Sequence, residues 1–177
     1  MKRTAILGSL LLVLAMSAVV LAQQGSRTQT APHEISGELD GTLTFVPLPA
    51  LDPDAPPPPL LGVDTLGVAS GTMKGLGLSN IFTLHRPVAD AAGSVRDGHF
   101  WIIAADGDKI KGTYTGTTES VPNTNQLIGT GTWVITGGTG RFENADGTIQ
   151  MTVYVTSLGF GVSEWPATWV LEGTINY

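Results

Sequence analysis

What most limits the fold of this chain is an alternation of apolar and polar residues with a period of two, recurring from residue 35 to the last residue. Successive side chains of a strand point to opposite faces, so the pattern gives each segment one dry face and one wet face. In SGELDGTLTFV, Leu39, Leu43 and Phe45 share one face, and Glu38, Asp40, Thr42 and Thr44 share the other. In LGLSNIFTLH the same reading puts Leu76, Leu78, Phe82 and Leu84 toward the core. GHFWIIAADGDKIKGTYTG reads as two strands around Asp106-Gly107-Asp108, a turn whose residues tolerate the positive φ of a tight hairpin. LIGTGTWVIT sets Leu127, Trp133 and Ile135 against Ile128, Thr130, Thr132 and Val134. GTIQMTVYVT sets Ile149, Met151, Val153 and Val155 against Gln150, Thr152, Tyr154 and Thr156. ATWVLEGTINY sets Trp169, Leu171 and Ile175 against Val170, Glu172, Thr174 and Asn176.

A less regular strand in VDTLGVASGTM brings the total to about eight, and no helical period competes with them. One-faced strands must close on a core, which a sandwich and a barrel both achieve. A closed barrel also leaves no edge strand to invite aggregation. The chain's 177 residues suffice for one domain with a real core. The expectation is an all-β fold, an eight-stranded antiparallel closed β-barrel of calycin-like shape.

MKRTAILGSLLLVLAMSAVVLAQQ opens with Lys2 and Arg3, runs apolar from Ala5 to Leu21, and ends in small residues. That order predicts a signal peptide over 1–22, cut after Ala22, and a secreted or periplasmic protein. An uncleaved anchor is the alternative, because the run nearly spans a bilayer. The chain has no cysteine, which excludes a lipidated cysteine and a disulfide framework. Loss of Lys2 and Arg3 leaves a chain more acidic than the full sequence, whose net charge is −6, and the basic residues do not cluster. Nucleic acid is therefore not an expected partner, nor is a membrane once the signal is cleaved.

Residues 23–33 read as a flexible leader and 34–177 as a single barrel domain. PLPALDPDAPPPPLLG, 47–62, interrupts that domain and cannot be a central strand, since proline lacks the ladder donor. It reads as a stiff loop between two strands, with a polyproline ligand for a partner as the other possibility.

WVITGGTGRFENADGTIQM holds the densest local signal. A phosphate-binding loop would need a helix N-terminus or a lysine after the glycines, and neither follows. The loop instead reads as a corner: Gly137, Gly138 and Gly140 supply unusual backbone angles, Phe142 folds back into the core, and Asn144, Asp146 and Gly147 make a second turn. TGGTGRFENADG resembles the Gly-Gly-Ser/Thr-Gly-x-Phe motif of the allene oxide cyclase and dirigent barrel superfamily, with the GDKIKGTYTG hairpin before it and WVLEGTI after it. The likeness runs from about His99 to Tyr177, and is greatest to small secreted bacterial chains with the same motif. It implies an eight-stranded antiparallel barrel with an apolar cavity, and a homo-oligomer, dimer or trimer. In cyclases of the family, polar cavity groups orient an epoxide; in dirigent proteins, acidic and arginine side chains do comparable work. None of those groups finds a matching position here, and Arg141 and Glu143 belong to the motif's turn.

Candidate chemistry is sparse. His99 shares a face with Trp101 and Ile103 and is the one candidate general base, with no carboxylate partner evident. His85 follows Ser79 and Thr83 on a polar face and reads as exposed. Asp106 and Asp108 lack the further oxygen ligands of a calcium loop, and no histidine or cysteine set suggests zinc. No metal and no cofactor is expected. Trp101, Trp133 and Trp169 read as inward, either filling a small barrel or lining a pocket for an apolar molecule. The functional expectation is an exported barrel that binds a small apolar ligand or serves a structural role. A cofactor-free cyclase or isomerase working in the cavity is the alternative.

Overall fold

In the computed structural model of the chain, eight strands follow one another in sequence order around a closed antiparallel barrel. The residues described are 31–47, 63–88, 91–159 and 162–177. The strands are β1 His33–Pro47, β2 Val63–Lys74, β3 Gly77–Pro87, β4 Ser94–Ile103, β5 Lys109–Ser120, β6 Gln126–Gly138, β7 Asp146–Thr156 and β8 Glu164–Asn176. A 3₁₀ turn, Gly140–Phe142, joins β6 to β7. The barrel closes where β1 pairs with β8, in a register that sets Leu39 opposite Trp169. Strand β1 takes in His33, assigned above to the leader, and the proline-rich loop leaves the barrel at Pro47. The expected signal peptide, the leader up to residue 30 and loop residues 48–62 lie outside the described residues.

An up-and-down barrel has two ends, and their loops differ. One end carries the β2–β3, β4–β5 and β6–β7 connections. There the interior is filled by Ile35, Met73, Leu76, Ile110, Phe142 and Ile175, all buried. A middle layer of rings follows: Trp133 stacks on Phe100 with centroids 4.4 Å apart and tilts against Tyr114 at 5.6 Å. Trp169 reaches across the barrel from β8 to lie over Gly67 of β2, where any Cβ would meet its ring at 2.8 Å. An eight-stranded barrel has room for side chains and little more, so such rings demand small residues opposite them.

That demand inverts two strands relative to the sequence reading. On β3 the inward residues are Ser79, Ile81 and Thr83, while Leu78 is 65% exposed and Leu84 36% exposed. Only Leu76 of the expected set is buried, in the turn before the strand. On β4 the inward residues are Phe100 and Ile102, and Trp101 lies outside, 37% exposed. Both faces of β4 are apolar, so alternation alone does not choose between them. The hairpin register does: Trp101 pairs with Lys111 and Ile103 with Lys109, and directly opposed residues share a face. Lysine stays in water, so these partners do too.

Candidate functional site

At the other end of the barrel the inward positions change character. Gly116, Gly129, Thr65, Thr83 and Thr118 stand where the opposite end has isoleucine and phenylalanine. The space they leave is a cavity of about 870 Å³, open at this end. Leu127, Met151, Val153 and Val155 of β6 and β7 form one wall, and Trp165 and Trp169 of β8 continue it. Trp133 forms part of the floor. Among the described residues that line the cavity there is no lysine, arginine, aspartate or glutamate.

The facing wall is polar. Thr65 of β2 stands opposite His85 of β3, and both border the cavity with Thr83 and Tyr114. The Tyr114 hydroxyl and His85 Nδ1 are 2.6 Å apart. Burial depresses the His85 pKa from 6.5 to about 4, a shift that the nearby Asp64 carboxylate opposes. Burial likewise pushes the Tyr114 phenol up, partly offset by a hydrogen bond from the Thr83 hydroxyl. Both partners are thus neutral at pH 7. With the phenol assigned as the donor to Nδ1, the direction that a Thr83 hydroxyl bonded to the phenol oxygen favours, the imidazole proton is on Nε2.

Backbone irregularity makes this contact possible. His85 and Tyr114 sit on β3 and β5, with β4 between them. The β3–β4 register slips between Leu84 and Arg86, and the β4–β5 register slips between Val95 and Gly98. Asp97 and Gly98 together therefore face His85, a bulge in which Asp97 takes a φ of 52°. The Tyr114 ring lies flat across Gly98, where a Cβ would meet ring carbons at 2.7 Å. Glycine at this point lets an aromatic side chain pass over one strand to reach the next.

The tryptophans and histidines singled out in the sequence divide accordingly. Trp133 and Trp169 border the cavity; Trp101 is outside and cannot. His99 is also outside, its ring stacked on Trp101 at 6.3 Å, and does not enter the barrel. His85, read as exposed, is the histidine that faces the cavity, because the polar face of β3 is the inner one. Trp165 and Tyr114 join the site without having been marked for it. Their strand partners carry the signal: Tyr114 pairs with Trp133, an inward residue, and so must point inward as well.

The glycine loop belongs to the filled end. Phe142 is 0% exposed there, edge-on to the Tyr177 ring. Gly137, Gly140 and Gly147 have φ of 127°, 56° and 141°, and Gly138 does not have positive φ. The loop holds an anion of its own: the Asp108 carboxylate accepts the Arg141 N–H at 3.0 Å and sits where a Cβ on Gly140 would go. Arg141 pairs with Asp106 at 3.2 Å and covers the Phe142 ring. Gly107, at φ 90°, turns the hairpin that presents both aspartates. Among the described residues, no three histidine, aspartate or glutamate side chains gather as a metal site.

Fold and site together define a closed antiparallel barrel, filled at one end and hollow at the other, which is the architecture that the motif's resemblance implies. No protein-family model matches the chain, and no curated protein matches it. A solved structure of a pterocarpan synthase dirigent protein is similar over 82% of this chain and 87% of that one, with 13% identity and a TM-score of 0.42. At that distance the likeness says nothing of what this chain does, and the barrel rests on its own strand pairing.

Proposed function

We propose that this protein is an exported carrier of a small apolar molecule, held in the open end of the barrel. The observation that carries the reading is the 870 Å³ cavity with an uncharged, largely apolar lining. Its volume is within the range of small-molecule sites. Burying apolar area there stabilises a complex by about 25 cal/mol per Å², from which the entropy losses of association are subtracted. A charged group facing the cavity would favour a cyclase or isomerase, and among the described lining residues there is none, which favours carriage. Export rests on the Lys2-Arg3 start, the apolar run and Ala22.

Titration with N-phenyl-1-naphthylamine, a neutral dye that brightens in apolar surroundings, tests the carrier. Saturable uptake with a Kd near or below about 10 μM is expected. A dye that stays dark at every concentration sinks the reading. For export, intact mass should show the mature chain beginning at Gln23.

A further inference from the structure

The cavity's two walls differ in kind, and the difference specifies the ligand beyond being apolar. Hydrocarbon side chains and two indoles form one wall, while Thr65, Thr83, His85 and Tyr114 are grouped on the other. A pocket for pure hydrocarbon would have no use for that group. The polar residues are also built in: a bulge with Asp97 at positive φ stands opposite His85, and Gly98 gives way to the Tyr114 ring. A non-glycine residue at positive φ carries a conformational cost, and such features collect at binding sites.

We propose that His85, oriented by Tyr114, donates a hydrogen bond to a neutral acceptor oxygen on the ligand, so that the molecule carried is an apolar ketone, ester or related carbonyl compound. The inference rests on the carrier reading. Tyr114 occupies Nδ1; in the tautomer in which its phenol is the donor there, the ring proton is on Nε2 and the ring offers a donor to a third group. A carboxylate ligand would find no lysine or arginine among the described lining residues to pair with and would lose its hydration on entry. A hydrocarbon would enter but leave the donor unanswered.

Three rigid probes of one shape decide the matter: fluorene, 9-fluorenone and fluorene-9-carboxylate, each displacing N-phenyl-1-naphthylamine from the full-length exported protein. Fluorenone should bind about three- to tenfold tighter than fluorene, the worth of one neutral hydrogen bond, and the carboxylate should bind weakest. His85→Phe should erase the preference for the ketone while fluorene binding persists, and His85→Gln, which restores an N–H donor, should recover part of it. Tyr114→Phe, which frees the imidazole to turn, should reduce it. Circular dichroism of each variant establishes that the barrel is intact. Equal binding of ketone and hydrocarbon by the unaltered protein, or tightest binding of the carboxylate, would overturn the anchor and leave the carrier standing. If the unaltered protein takes up neither dye nor any probe, the carrier falls, and the anchor with it.

Discussion

Ile149 and Met151 are neighbours on the inward face of β7, two residues apart, yet they belong to different environments. Ile149 is wholly enclosed in the filled end, and Met151 borders the cavity. The same contrast runs round the barrel. At the filled end the inward residues interlock, and the loops fold back over them: Phe142 plugs the corner, and Asp108 and Asp106 tie Arg141 down above it. At the hollow end glycine and threonine take several of the inward positions, and His85 and Tyr114 bond to each other. One set of strands thus supplies a rigid base and a receptacle, and the change follows in large part from the glycines and threonines at inward positions of the hollow end.

The largest expected effect is at the base. Phe142→Ala leaves a void that the closed hairpins cannot collapse into, and should cost about 3–5 kcal/mol in urea unfolding. A smaller loss would mean that the corner is not the anchor described.

Next is the acid response of the receptacle. The folded His85 pKa of about 4 is below the ordinary 6.5, so the unfolded chain takes up the proton first as pH falls. His85 therefore contributes no penalty above pH 6.5. Stability should drop between about pH 6.5 and 4 and then level, by on the order of 3 kcal/mol, the pull of Asp64 being already contained in that shift. His85→Phe should flatten that part of the profile of urea midpoints; an unchanged slope would place the histidine in water.

The paired truncations Ile149→Ala and Met151→Ala set the two ends against each other directly. The first creates a sealed void and the second only enlarges an open one, so the first should be more destabilising by about 1–2 kcal/mol. Equal costs would mean that the hollow end is filled. The smallest effect should be that of Trp101→Phe, within about 0.5 kcal/mol of the parent protein. The same substitution should reduce the acrylamide quenching of tryptophan emission, since Trp101 is the most exposed of the four indoles.

How far the sequence reveals these features depends on whether one face of a strand is unambiguous. Strands β1, β6, β7 and β8 place threonine and charge against aliphatics, and their inward faces can be read from the alternation. The Asp-Gly turn and the Phe142 corner can be read too, because glycine chemistry there admits few conformations. Strand β3 misleads, for its bulky aliphatics face out and its serine, threonine and histidine face in. The deciding fact is non-local: Trp169 of β8 occupies the space beside β2 and β3. The site is hidden from the alternation by a non-local cause as well. His85 and Tyr114 meet through a bulge in a strand that is neither of theirs, and a bulge leaves no mark on the alternation of the strands it serves.

The seam between β1 and β8 bears on how the molecule is made. Asp40 accepts a hydrogen bond from Thr168 across this seam, joining residues at nearly opposite ends of the barrel sequence. Every other strand pair is a sequence neighbour and can form by local hairpin closure. This last pair must await nearly the whole domain, and until it forms, β1 and β8 present unpaired edges to other chains. The slow and aggregation-prone step of folding is therefore the zipping of the seam. A crowded refolding reaction should fail there, by strand exchange between half-closed barrels, before it fails anywhere in the core.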